Sequence, residues 1–169
     1  SAFSDASKCT YIKNVCDKLN KVVGIKTPMM IASGTIIDNK IIITNRHVVE
    51  DHKQFVIKFN NGEIKKAFPL PHNFSADLAL LSLTKGPQKL NKLPKSVKIK
   101  GKIRVVAYDQ GRNANRIYKS GKIISFSDFN RYPQARIHTN AKSLPGNSGG
   151  SVVDENGNLI GILASGDGN

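Results

Sequence analysis

Pro145-Gly146-Asn147-Ser148-Gly149-Gly150 sets one serine among three glycines, and a short apolar run, Ser151-Val152-Val153, follows at once. Glycines let a chain turn tightly, so amide N–H groups near the serine can converge on a point where a carbonyl oxygen becomes negative. Acyl transfer to the Ser148 hydroxyl needs that backbone, and the N–H groups of Gly146 and Ser148 would form the oxyanion hole. Alone, the run could be an ordinary loop. Its meaning depends on what else the chain supplies.

Two other segments supply it. Thr44-Asn45-Arg46-His47-Val48-Val49 places a histidine directly after the apolar stretch Ile41-Ile42-Ile43, and Ala76-Asp77-Leu78-Ala79-Leu80-Leu81 places an acid before a run that should be buried. A histidine at a strand end, or an aspartate capping a strand, is structural when it stands alone. A carboxylate beside an imidazole, however, fixes its tautomer and stabilises the imidazolium formed when it takes a serine proton. His47, Asp77 and Ser148 occur in the order histidine, acid, serine, which is the chymotrypsin order of the triad. The expected roles are base for His47, orienting acid for Asp77 and nucleophile for Ser148.

Around these segments the pattern is one of short β-branched runs bounded by turn residues, which predicts an all-β chain. Strands are expected at 29–37, 40–44, 54–59, 63–68, 78–83, 103–108, 116–126, 135–139, 151–153 and 159–164. Asp38-Asn39, Asn60-Asn61-Gly62 and Glu155-Asn156-Gly157-Asn158 tolerate positive φ and predict hairpin turns. The stretch from Lys85 to Lys102 has weak periodicity and reads as a linker. One peptidase domain over 1–169 is expected, with a helical segment at 1–25, a first β half at 26–90, a linker at 91–102 and a second half at 103–169. The serine then falls in one half and its partners in the other, in a crevice suited to an extended polypeptide substrate.

In these segments the chain resembles the trypsin-like peptidases, and within them the HtrA (Deg) type. The resemblance is carried by Ser33-Gly34-Thr35-Ile36-Ile37 leading to Thr44 through Val49, by Ala76 through Leu80, by Ser120-Gly121-Lys122-Ile123-Ile124-Ser125, and by Leu144 through Gly150 on to Asn158-Leu159-Ile160-Gly161-Ile162. It implies a chymotrypsin fold of two six-stranded antiparallel β-barrels, here preceded by a short N-terminal helix. It also implies that Ala164, Ser165 and Gly166 offer backbone to a substrate strand. HtrA relatives usually carry PDZ domains, and this chain ends at Asn169 without one, so peptide sensing and assembly are not carried over. Ser151 stands where the family generally has proline or a small apolar residue, a change expected to be harmless.

Specificity is read from position. Lys142, six residues before Ser148, and Ser143 beside it lie where trypsin-like folds often form the primary pocket, and a cation there would favour an acidic residue before the scissile bond. The alternative is a lysine that points to solvent. His138 could approach the same pocket or serve a strand surface, and His52 and His72 have no assigned task.

Composition limits the rest. The 169 residues carry 26 Lys and Arg against 12 Asp and Glu, a net charge of +14. Between Lys85 and Lys122 stand twelve basic residues and one acid, Asp109. An anionic partner would be drawn there, or the stretch is simply a solvated basic surface; no aromatic residue interleaves with the lysines from Lys85 to Lys102 to stack on bases. No apolar run is long enough to span a membrane. Beginning at Ser1 without Met fits a removed targeting segment or an excised piece, and a secreted or periplasmic location is the expectation. Cys9, Ile12, Cys16, Leu19 and Val23 follow helical spacing, which predicts core-facing thiols. Seven helical residues rise about 10.5 Å, beyond the roughly 7 Å a disulfide can bridge, so a bridge would need the segment bent. No second Cys or His pair stands at zinc spacing, and the expected chemistry calls for no cofactor or metal. The oligomeric state is open. A peptidase fold serving only as a binding module and a basic anion-binding domain are the competing classes.

Overall fold

The computed structural model describes residues 8–86, 88, 90, 99, 101–126 and 137–164. Its first half is a closed antiparallel barrel of six strands: β1 (Val22–Lys26), β2 (Ile31–Asp38), β3 (Ile41–Thr44), β4 (Phe55–Lys58), β5 (Ile64–Leu70) and β6 (Ala79–Ser82), in spatial order β1-β2-β3-β6-β5-β4. Closure comes from β1, which pairs with β2 on one side and β4 on the other. Val23, Ile25, Ile42, Phe55, Ile57 and Leu81 fill the interior. All four residues of β3 are buried, because its outward-facing Ile41 and Ile43 are covered in turn by Leu70, Leu80 and Ile162. This doubly covered strand leads into the site.

The second half carries β7 (Ile103–Asp109), β8 (Ala114–Ile117), β9 (Ile123–Phe126), β10 (Ile137–Thr139), β11 (Ser151–Asp154) and β12 (Leu159–Ile162). Six strands were expected here, but among the described residues they do not close into a second barrel. They form a four-stranded sheet, β12-β11-β7-β8, and a separate pair, β10-β9. An isolated bridge from Ile103 to Gly121 links the two, and the β11–β12 and β10–β9 pairs are both irregular in register. The strand expected over 116–126 is two strands, interrupted at Gly121, whose backbone runs so close to Ala141 that a Cβ would lie 2.3 Å from its nitrogen.

The N-terminal segment departs furthest from expectation. Helix α1 (Lys13–Cys16) is one turn long, and a 3-10 stretch (Asp17–Lys21) follows. Val22 and Val23, read as helical above, begin β1, so the first barrel takes in Val22–Lys26 rather than starting at residue 26. Because the segment before Lys13 is not helical, Cys9 and Cys16 come within 5.9 Å between Cα atoms and form a disulfide, correcting the expectation of free thiols. Just beyond the disulfide loop, Leu19 and Val22 pack against Val106 and Val153, with Cys9 against the same cluster, so the N-terminal stretch stitches the second half to the first barrel. Asn115 reinforces the seam, its amide donating to Leu19 O and Val22 O at 2.9 and 2.7 Å. Reduction should lower the unfolding free energy by about 2–3 kcal/mol, the loop-closure entropy of so short a loop. Urea midpoints with and without reductant measure it; an unchanged midpoint would show that the bridge restrains nothing in the unfolded chain.

Candidate active site

Helix α2 (Arg46–Val49) is a single turn that starts as soon as β3 ends, with Asn45 as its extended N-terminal flank. Buried Val48 and Val49 anchor the turn in the barrel interior, which leaves the His47 side chain 39% exposed. Asp77 precedes β6, the neighbour of β3, where Thr44 pairs with Ala79. Strand pairing thus brings the two motifs together, although thirty residues separate them.

Both Asp77 carboxylate oxygens engage His47. Oδ1 accepts the His47 backbone N–H at 3.0 Å, and Oδ2 lies 2.7 Å from Nδ1. With the Nδ1 proton donated to the carboxylate, the lone pair is left on Nε2. The two residues before His47 hold the acid's own segment: Asn45 Nδ2 donates to Asp77 O at 3.0 Å, and Arg46 Nη2 donates to Phe74 O. His72 lies in the same segment, packed on Phe74, and burial together with the Arg46 charge lowers its pKa. Sequence reasoning passed over Asn45 and Arg46, since neither shows a motif apart from its neighbour.

Ser148 reaches this place through its main chain. Its carbonyl accepts from Ser33 N on β2 at 2.8 Å. The next residue, Gly149, has φ +92°, and a Cβ on it would lie 1.9 Å from Ser33 O and 2.4 Å from Thr44 Oγ1. The serine loop therefore lies against the end of the strand that leads into His47. Only a residue without a side chain permits that approach. Asn147 locks the loop from below: it is fully buried, accepts Leu144 N–H on Oδ1 at 2.6 Å, and donates through Nδ2 to Tyr108 O and Tyr118 Oη, each at 3.0 Å. Tyr118 is itself fully buried, and desolvation raises its pKa. Among the described residues, the N–H groups of Gly146 and Ser148 have no acceptor.

Leu163 is pinned to the loop, accepting from Gly149 N at 2.7 Å and donating to Gly150 O at 2.9 Å, so Ala164 follows β12 directly beside it. Ser165 and Gly166 lie outside the described residues. Lys142 is exposed and Ser143 half-buried, with the Lys142 backbone N–H on Lys119 O at 3.3 Å. His138 is on β10 opposite Ser125, and His52 meets the edge of Phe55. Ser151, expected to be neutral, is fully buried and its hydroxyl is 2.9 Å from Thr35 Oγ1. Of the basic stretch from Lys85 to Lys122, positions 87, 89, 91–98 and 100 lie outside the described residues. Elsewhere in it, Arg112 and Arg116 are tied to the buried Asp109, Arg104 covers Tyr11 and Lys85 covers Phe68. Among the described residues no three His, Cys, Asp or Glu side chains converge where a metal ion could bind, and no helix is long and apolar enough to cross a membrane.

The sequence profile of the trypsin-like peptidase domain matches residues 32–162. The chain belongs to that family. Its relatives include the serine endoprotease DegS of Escherichia coli, 30% identical over 138 residues, which cover 78% of this chain and 39% of DegS. A serine protease HtrA-like protein of Staphylococcus aureus is 28% identical over 149 residues, covering 76% of this chain and 18% of that one. The structure of the HtrA-type protease AlgW with a tripeptide superposes with a TM-score of 0.70 at 24% identity, over 91% of this chain and 54% of the other. The chain thus spans less than half the length of the curated relatives it matches. The domain is thus similar to proteases described as HtrA-like or HtrA-type.

Proposed function

We propose that this trypsin-like domain hydrolyses internal peptide bonds of polypeptides, with Ser148 as nucleophile, His47 as general base and Asp77 as its orienting acid. The observation that carries the reading is the two-point bond from Asp77 to His47, which leaves Nε2 as the basic nitrogen. Ser148 Oγ attacks the scissile carbonyl carbon while its proton passes to His47 Nε2. The N–H groups of Gly146 and Ser148 stabilise the resulting oxyanion. Collapse of the tetrahedral intermediate breaks the C–N bond, and Nε2 returns the proton to the leaving amine. Water then attacks the acyl-enzyme by the same route, with His47 again taking the proton, and frees Ser148. Ala164 follows the edge strand β12, and the backbone of Ala164, Ser165 and Gly166 would pair with an extended substrate.

A fluorophosphonate, which reacts only with an activated serine, tests this directly. One adduct on Ser148, absent after Ser148→Ala, is the expected result. An unreactive wild-type chain would leave a peptidase fold used for binding alone.

Lys142 extends the reading to specificity. It is exposed, close in sequence to the nucleophile, and followed by the short polar Ser143, an arrangement suited to an acidic residue before the scissile bond. A peptide library should show roughly fivefold enrichment for Asp or Glu at that position, the size of one exposed charge pair worth about 1 kcal/mol. Lys142→Ala should erase it. Cleavage after small apolar residues by both proteins would remove Lys142 from specificity. The Cys9–Cys16 disulfide supports a secreted or periplasmic setting, where such bonds persist.

A further inference from the structure

Strand β2 meets the nucleophile loop with polar groups that no expectation from the sequence had placed there. Ser33 and Thr35 stand two residues apart and so project from the same face of the strand. That face points out of the barrel, yet Ser33 and Thr35 are only 0% and 2% exposed. Ser33 Oγ donates to Gly146 O at 3.0 Å and accepts the Tyr108 backbone N–H at 2.9 Å. Thr35 Oγ1 donates to Gly149 O at 3.1 Å and can in turn accept from Ser151 Oγ at 2.9 Å. With Ser33 N on Ser148 O, the carbonyls of residues 146, 148 and 149 all end on β2. Thr44 Oγ1 completes the frame by donating to Ser33 O at 2.8 Å, three residues before His47.

We propose that Ser33 and Thr35 are positioning residues for catalysis: their hydroxyls, on the barrel that carries His47 and Asp77, hold the serine loop of the other half in its oxyanion-binding shape. The inference rests on the peptidase reading above. Its physical basis is the conformation of Gly146, which has φ +92°. Glycine moves readily among many backbone conformations, so a glycine donor in an oxyanion hole must be restrained from outside. Ser33 Oγ restrains it by fixing the carbonyl of the same residue, and Thr35 does the same on the far side of Ser148. Oxyanion stabilisation is effective when donors are aimed before the charge develops. Loss of either hydroxyl should therefore lower kcat and leave ground-state binding as it was.

The test uses the full chain with Ser33→Ala and with the near-isosteric Thr35→Val. A peptide boronate serves as transition-state analogue, and amide NMR follows Gly146 and Ser148. Ser33→Ala should lower kcat about 10- to 100-fold, less than direct removal of an oxyanion donor, at unchanged KM. Boronate affinity should fall in parallel, and the Gly146 amide resonance should move. Thr35→Val should change each readout in the same direction, and it carries the test should Ser33→Ala fail to fold. Ile57→Val, deep in the first barrel, controls for lost stability and should keep kcat. Unchanged kcat with unmoved amides overturns the proposal, as does an equal loss of kcat in Ile57→Val at matched Tm. A wild-type chain that ignores the fluorophosphonate would count against the peptidase reading instead, and the amide resonances would then decide whether the hydroxyls hold the loop.

Discussion

Replacing Ser148 by alanine is expected to lower kcat on a peptide substrate by about 10⁶-fold, the loss seen when a triad nucleophile is removed from a serine protease. The folded state should survive. What ties residue 148 to the first barrel is its carbonyl on Ser33 N, a main-chain bond that alanine keeps. The flanking Asn147 and Gly149 bonds to Tyr108, Tyr118 and Leu163 are likewise indifferent to the missing hydroxyl. Residual hydrolysis, about 10³- to 10⁴-fold above water, would come from the oxyanion hole and binding alone. Single-turnover cleavage of a chromogenic peptide, with circular dichroism to verify folding, measures it. Turnover within tenfold of wild type would exclude Ser148 as nucleophile.

Asp77→Asn should reduce kcat by about 10⁴-fold, and the reason can be read from the site. His47 presents two donors to residue 77, its backbone N–H and the Nδ1 proton, and each has its own carboxylate oxygen. An amide has a single oxygen. Kept against the backbone N–H, it turns the NH₂ group toward Nδ1, which must then accept, and the ring proton moves to Nε2 where the base is needed. Turned the other way, it sets the NH₂ group against the His47 N–H and leaves donors unpaired, at a cost of about 1–3 kcal/mol. That cost favours the first arrangement, which keeps Nε2 from deprotonating Ser148 at neutral pH. The pH–rate profile is the discriminating measurement: activity should recover at high pH as hydroxide replaces the base. Turnover equal to wild type at pH 7 would remove Asp77 from the mechanism.

These effects concentrate on three side chains that were legible before any fold was known, because each lies in a short segment whose chemistry is local. A glycine-flanked serine can make a tight turn wherever it is, and an apolar run next to a lone His or Asp marks a buried strand with a polar end. The strands of the first barrel were legible for the same reason, as alternation and turn residues are properties of neighbours in sequence. β1 was not. Val22-Val23-Gly24-Ile25-Lys26 is short and contains glycine, and its first residues continue a helical spacing that runs from Cys9, so the local signal favoured the wrong element. Its strand character comes from pairing with β2 and β4.

Residues 33 and 35 show the limit most directly. Alternating polar side chains on a strand read as a solvent-facing edge, and that is how they would lie if the barrel stood alone. The second half covers that face, and burial turns two unremarked hydroxyls, with Ser151 opposite, into the contacts that shape the loop. The same holds for Cys9 and Cys16, whose separation depends on where a one-turn helix begins.

By itself, the amino-acid sequence determined the all-β character, five of the six strands of the first half and the identity of the acid, base and nucleophile candidates, since these follow from interactions within a few residues. The tertiary structure alone decided that Cys9 bonds Cys16, that β1 closes the barrel, and that β2 grips the serine loop. Each of those depends on which surfaces meet across long stretches of chain, and no local pattern records that.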